Sequence, residues 1–378
     1  MTSSQLPVAE SDLLVVGAGI VGLAHAAEAV RLGLTVTIID RDSRAVGASI
    51  RNFGHCCITA QSGELLELAQ VARGRWLHYA TEAGFFATES GALAVARSQE
   101  ELAVLTELSD ARDAGQIRVL GAGEVRSRLG GTAGSDILGG AVLRDDVRVD
   151  PRQAVGRLVE WLSHQPGVRV LWRTSYFGHD GDQAHTSRGT IRAARTIVCV
   201  GHDLDYVYPA LAEQHGVERC ALQMAVVQAP DDRSISPAVL TGTSMLRYPA
   251  FTETAAAEAL RERINGEDAE LIRIGANVMF TQRPDGTILA GDSHRYDATI
   301  DPFLLESTTD LLLRRIAAVL GVDRLRVLER WQGVYASSSQ QPYLVASPSP
   351  GVTSVTVTSG IGMTISFGLA AQVLNELS

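Results

Sequence analysis

Gly17-x-Gly19-x-x-Gly22 directly follows the apolar run Leu13–Gly17 and opens an alanine-rich stretch, Ile20–Leu32. This spacing suits a phosphate cradle. The first glycine permits the turn, the second lets a pyrophosphate approach the backbone, and the third lets helix and strand pack closely. A helix beginning there, with Ile20 and Val21 in its first turn, directs unpaired N–H groups and partial positive charge at the phosphates. Asp40 stands 18 residues after Gly22, at the end of the β-branched run Thr35–Ile39, with Arg41 behind it. A carboxylate there is placed to accept hydrogen bonds from a ribose. A second glycine turn, Ser359-Gly-Ile-Gly-Met-Thr364, follows the run Val352–Thr358. A helix starting at that turn aims its N-terminus at a group that becomes anionic on reduction, as the pyrimidine ring of a flavin does; a reduced nicotinamide carries no such charge. The expected chemistry is redox, with FAD as the cofactor.

These residues need strands and helices to hold them. Leu13–Gly17, Ile20–Leu32 and Thr35–Ile39 form a β-α-β unit. Helices are predicted over Gly63–Ala83, Gln99–Ala114, Gly123–Leu129, from Asp150-Pro151 onward, and over Glu253–Asn265, Leu304–Leu320 and Met363–Leu377. Strands are predicted at Val168–Trp172 and Thr190–Val200, with a turn at Gly178–Asp182 between them. Cys220–Gln228, Ser244–Tyr248, Asn277–Gln282 and Thr287–Asp292, separated by Pro-Asp turns, have the pattern of a mostly antiparallel sheet. The expected fold is α/β (α+β overall): a Rossmann-like FAD-binding domain assembled from residues 1–80, 143–215 and 327–378. A substrate domain built on the antiparallel sheet, residues 81–142 and 216–326, is inserted into it.

Composition narrows the field. The chain has 378 residues and a formal net charge of −10, so no basic footprint for nucleic acid is expected. All 33 basic residues are arginine, which removes Schiff-base and pyridoxal phosphate chemistry. Four cysteines without a C-x-x-C pair point to a reduced, cytoplasmic protein. The polar segment Met1–Asp12 does not read as a signal peptide, and no membrane span is expected.

The chain resembles the D-amino-acid oxidase-like FAD-dependent oxidoreductases, the group that includes glycine and sarcosine oxidases. The resemblance runs nearly end to end: the N-terminal fingerprint, Gly47-Ala-Ser-Ile-Arg-Asn-Phe-Gly54, Val149-Asp-Pro151, Thr196-Ile-Val-Cys-Val-Gly201, Arg330-Trp-Gln-Gly333 and Gly360-Ile-Gly-Met-Thr364. It implies that Ala48, Ser49 and Asn52 lie along the flavin and pyrophosphate, and that Tyr176 meets the adenine through its backbone. Gly201 and Gly333 would lie beside the cofactor, and Gly362, Met363 and Thr364 would face the flavin carbonyl edge. Two departures stand out. Gly201-His-Asp-Leu204 replaces the frequent Gly-Ala-Trp-Ser, and Ala336–Tyr343 lacks the cysteine that links flavin in sarcosine oxidase-like members. Arg51 occupies the position of a flavin-linking histidine in other relatives, so noncovalent FAD is expected, with His55 and Cys56-Cys57 as alternative links.

Four blocks, Arg51-Asn-Phe-Gly-His55, Cys220-Ala-Leu-Gln-Met224, Leu246-Arg-Tyr-Pro-Ala-Phe251 and Gly291-Asp-Ser-His294, resemble a subgroup associated with breakdown of 2-aminoethylphosphonate and its N-methylated relatives. Amine oxidation by hydride transfer needs a neutral nitrogen. An alkylamine with a pKa of about 10 costs roughly 4 kcal/mol to neutralise at pH 7, which desolvation, aromatic walls or a nearby base can offset. An anionic substrate end calls for arginine. Arg51 is the first candidate anchor, against an alternative in which it bonds the flavin or a carbonyl. Arg247, beside Tyr248, is the second, against a surface salt bridge. His294 could orient or deprotonate the amine, or be structural. His55, Gln223 and Tyr335 are further candidates, against plain packing or hydrogen bonding, and Cys56-Cys57 reads as buried apolar filling. No metal site is expected. The leading expectation is oxidation of a small anionic amine, with O2 or another electron acceptor as the second partner. An amino acid or 2-hydroxy acid substrate, and a flavoprotein without turnover of its own, are the alternatives.

Overall fold

The computed structural model describes residues 8–377, so the expectation for Met1–Asp12 lies partly outside it. Among the described residues the strands form three sheets. In the first, five parallel strands run in the order Val168–Leu171, Val36–Ile39, Ala9–Val16, Gly189–Val198, Val352–Val357. Leu13–Val16, Val36–Ile39 and Val352–Val357 are buried on both faces, which is why they read as unbroken apolar or β-branched runs. The helices Ile20–Arg31, Gly63–Ala83, Pro151–Ser163 and Gly362–Leu377 share one apolar core with this sheet. Trp76 anchors that core, its ring edge-on to Phe367 and its Nε1–H donating to the Met363 carbonyl at 2.7 Å.

The second sheet has nine strands, and every pairing is antiparallel except that of Ala238–Leu240 with Ala92–Ala96. It lies beside a second core that includes Leu93, Leu105, Phe251, Phe280 and Ile316. A small third sheet joins His55–Cys56 to Val147–Val149 and Ala87–Thr88. The mixed architecture agrees with the expected fold class. No described helix is long and apolar enough to cross a membrane.

Several local expectations need correction. Ser244–Tyr248 is not a strand. Gly242–Met245 is a helical turn, the Thr241 N–H donates to Ser244 Oγ at 3.3 Å, and Pro249 opens a further short helix, Pro249–Thr252. Local hydroxyl-to-backbone bonds and a proline at the first turn favour turns over sheet pairing here. The helix expected at Glu253–Asn265 spans Ala257–Arg273. Gly178–Asp182 belongs to a hairpin, Tyr176–Asp180 with Gln183–Thr186. The strand Val327–Ser337, grouped from the sequence with the cofactor segment 327–378, pairs along its length with Glu218–Val227 in the second sheet. Its Trp331 and Tyr335 join Leu222 and Met224 in one apolar cluster, and that packing decides which sheet it enters.

Candidate active site

The strand Ala9–Val16 lies between Val36–Ile39 and Gly189–Val198 and stays bonded to both up to its carboxyl end. Gly17 donates to the Ile39 carbonyl on one side, and the Cys199 N–H donates to the Val16 carbonyl on the other. A crevice beyond the carboxyl ends of such strands is where open α/β sheets bind ligands. Gly17 has φ of +105°, and a Cβ there would come within 2.4 Å of the Cys199 carbonyl oxygen. A Cβ on Gly22 would lie 1.9 Å from the Gly17 oxygen and 3.1 Å from Val15 Cγ1, so only glycine lets the helix start this close to the strand. The helix N-terminus has no side-chain cap of its own; Ser49 Oγ accepts from the Ile20 N–H at 2.9 Å. Asp40 accepts from the N–H groups of Ala18 (2.8 Å) and Asp42 (2.9 Å), and burial holds its carboxyl pKa above the ordinary range. Asn52 donates to the carbonyls of Ala48 and Ser49 and accepts from the Gly54 N–H, fixing the shape of its own loop.

A cleft of about 450 Å³ runs from this loop to the second sheet. Arg41 borders it and pairs with Asp203 at 2.6 Å. Tyr176, also on the wall, shares a hydrogen bond of 2.9 Å with the Tyr208 hydroxyl. At the far end the lining changes to Arg247, Tyr248, Asn277, Asp292, His294 and Tyr335. Asn277 and Asp292 exchange backbone hydrogen bonds of 2.8 Å in both directions, which fixes the two side chains side by side. Arg247 makes one long contact, from Nη2 to the Tyr296 hydroxyl at 3.4 Å. Desolvation works against its charge, but the hydrogen bond to Tyr296 and the nearby Asp292 carboxyl favour it, and the guanidinium stays protonated. Burial pushes the Tyr248 and Tyr335 hydroxyl pKa values well up, so both stay neutral. His294 Nδ1 lies 2.8 Å from the Gly275 carbonyl, and burial keeps the ring neutral.

Residues 12–377 match the sequence profile of the family described as FAD dependent oxidoreductase. The chain belongs to that family. No curated protein matches it in sequence. Among solved structures, it is similar to L-proline dehydrogenase from P. horikoshii, with TM-score 0.78, 18% identity, and coverage of 99% of this chain and 95% of that one. It is also similar to iminodiacetate oxidase from Chelativorans sp. BNC1, with TM-score 0.75, 21% identity, and coverage of 96% and 95%. Glycine oxidase from Bacillus cereus ATCC 14579 gives TM-score 0.76 at 15% identity, covering 97% and 96%.

This FAD-dependent oxidoreductase has features that fit its cofactor. The glycine turn leaves room at a helix start, Asp40 offers acceptors at the end of the second strand, and the buried Thr356 hydroxyl on the cleft wall has no protein partner. The second glycine turn opens the helix Gly362–Leu377 onto the same cleft. Of the residues singled out from the sequence, Gly17, Gly19, Ile20, Val21, Asp40, Arg41, Ala48, Ser49, Asn52, Tyr176, Gly201, Gly333, Gly360, Gly362 and Met363 line the cleft. So do Arg51, Arg247, Tyr248, His294 and Tyr335.

Four do not. Gly22 packs behind the turn, and Thr364 is buried with its Oγ1 accepting from the Cys57 N–H at 3.1 Å. His55 is turned into the interior, its Nε2 2.7 Å from Asp146 Oδ2, because its short strand pairs with Val147–Val149. Gln223 lies on the opposite face of its strand from Leu222, which lines the cleft, and bonds Thr309 at 3.0 Å. Strand alternation sends it away. Arg51 donates to the Gln332 carbonyl at 3.3 Å, matching the carbonyl-bonded alternative. Sequence reasoning passed over Asn277, Asp292 and Thr356. For Asp292 the signal was available: a carboxylate at the end of the apolar run Ile288–Gly291, two residues before His294.

Proposed function

We propose that this enzyme oxidises a small primary or secondary amine bearing an anionic group, with an aminophosphonate such as 2-aminoethylphosphonate or an N-methyl derivative as the preferred substrate. The observation that carries this reading is Arg247. Arg247 lines the cleft, and among the described residues no carboxylate oxygen lies within 4.0 Å of its guanidinium; its one side-chain hydrogen bond is the long one to Tyr296. By contrast, Arg219 nearby is satisfied by Asp205 at 2.8 Å. An arginine in an enclosed site with no carboxylate in direct contact, only the more distant Asp292, leaves its fork open to carboxylate or phosphonate oxygens.

In this reading Arg247 binds the anion, and Tyr248, Tyr335 and Leu222 exclude water from the amine. That desolvation favours the neutral nitrogen that oxidation requires. FAD supplies the two-electron acceptor, and the resulting imine hydrolyses to a carbonyl compound. Gly17, Gly19, Asp40 and Ser49 hold the nucleotide end, and the start of the helix at Gly362 faces the flavin. The cofactor is bound noncovalently: His55 is committed to Asp146, and neither Cys56 nor Cys57 lines the cleft. The four short blocks resembling the aminophosphonate subgroup support the phosphonate preference. The similarity in fold to glycine oxidase and iminodiacetate oxidase supports a second reading with a carboxylate in place of the phosphonate.

Anaerobic titration of the holoenzyme with 2-aminoethylphosphonate, its N-methyl derivative, glycine, sarcosine and lactate separates these. Bleaching of the flavin band by the phosphonates at the lowest concentration is expected. Bleaching by glycine or sarcosine alone moves the assignment to an amino acid, and bleaching by lactate alone overturns amine oxidation.

A further inference from the structure

The substrate end holds a carboxyl group that the reading above leaves unused. Asp292 is 3% exposed, lines the cleft, and has a buried Oδ1 with no hydrogen-bond partner. Its other oxygen, Oδ2, lies 4.0 Å from His294 Nε2. A carbonyl only accepts, so the contact from His294 Nδ1 to the Gly275 oxygen places the ring proton on Nδ1. In the neutral ring Nε2 is then a bare acceptor. With Asp292 ionised, two acceptors thus face each other across a gap, and a third, Oδ1, stands unsatisfied beside them. A buried acceptor left this way is costly unless a ligand donates to it. The complementary group is a nitrogen with two or three N–H bonds, next to the anion fork of Arg247.

We propose that Asp292 receives the ammonium group of the substrate and takes its proton, while the neutral His294 orients the nitrogen. The inference rests on the amine reading and adds the base that reading lacks. One N–H bond of the ammonium breaks and one O–H bond forms on Asp292, leaving a neutral amine beside a neutral carboxylic acid. No electrons move in this step. The substrate class becomes narrower: a zwitterion whose ammonium and anionic group are close enough to span Asp292 and Arg247.

The surroundings suit the task. Arg247 and Tyr248 face Asp292 from the segment between the two short helices, Asn277 from the neighbouring strand's approach, Cys220 and Tyr335 from the paired strands, and His294 from its own. Burial pushes the carboxyl up to about 7, with Arg247 and Asn277 acting against it. A base poised near neutrality is what proton transfer at physiological pH favours.

The test compares wild-type and Asp292→Asn holoenzymes by anaerobic stopped flow with the same amine across a pH series. At pH 7 the variant should reduce its flavin about 10²–10³-fold more slowly. The deficit should shrink as pH rises toward the amine pKa of about 10, where the neutral amine is supplied by solvent. A variant with the wild-type rate and pH profile overturns the inference and leaves the amine reading standing. A wild-type enzyme reduced by no amine removes both. A second readout needs neither turnover nor the variant: calorimetric binding of ethanesulfonate, an amine-free anion with constant charge. Its affinity for wild type should fall about tenfold as pH rises through 7, because ionised Asp292 repels it. A flat profile contradicts the assignment even if Asp292→Asn does not fold.

Discussion

The two ends of the cleft are built from different materials. At the nucleotide end the geometry comes from backbone and absent side chains: Gly17, Gly22, the bare start of a helix, and one carboxylate at a strand end. At the substrate end it comes from polar side chains delivered by four distant segments, around residues 247, 277, 292–294 and 335. The first end is encoded in consecutive residues, where a change is felt as a steric clash. The second exists only after folding, and a change there is felt as a lost charge or hydrogen bond. Stability and cofactor retention should therefore respond to the first end, and substrate choice to the second.

The sharpest way to break that contrast is Gly22→Ala. A Cβ 1.9 Å from the Gly17 oxygen has no flexible neighbour to displace. A loss of about 3 kcal/mol in stability is expected, together with loss of bound FAD, read from the thermal midpoint and flavin absorbance. An unchanged midpoint would contradict the packing account. Next, Arg247→Met should lower kcat/KM for anionic amines by about 10²–10³-fold while changing neutral amines little. A larger effect from Arg51→Met would move the anion site to the loop 47–54.

A third test separates stability from binding by pH. His25, fully buried in the first core, has its pKa lowered to about 4 by desolvation. The unfolded imidazole takes up a proton near 6.5 while the folded one does not, so stability is full above that pH and declines as pH falls toward 4. The slope is about 1.4 kcal/mol per pH unit, and His25→Leu should flatten it in chemical denaturation series. The smallest effect expected is that of Asp40→Asn, about tenfold weaker FAD binding by titration of the apoenzyme. Retention equal to wild type would remove Asp40 as a nucleotide contact.

The same contrast explains what could be read from the sequence. The β-α-β unit and the glycine turns were legible because their signals are local: unbroken apolar runs, glycine spacing, an acid after a strand. The strand Val327–Ser337 was not, since its residues alternate little and its burial depends on Glu218–Val227 far upstream. Arg247 was placed in the cleft, although the strand expected to carry it is a pair of helical turns. Gln223 and Asp292 show the limit most clearly. Nothing in the run of residues says which face of a strand meets the cleft, so a polar residue facing away was counted and a carboxyl facing in was missed.

A structure of the holoenzyme with a redox-inert anion, ethanesulfonate or an amine-free phosphonate, tests the central assignment most directly. The account predicts anion oxygens on the Arg247 guanidinium, within the cleft that holds FAD. An anion held by Arg51 alone, or bound outside that cleft, would contradict it.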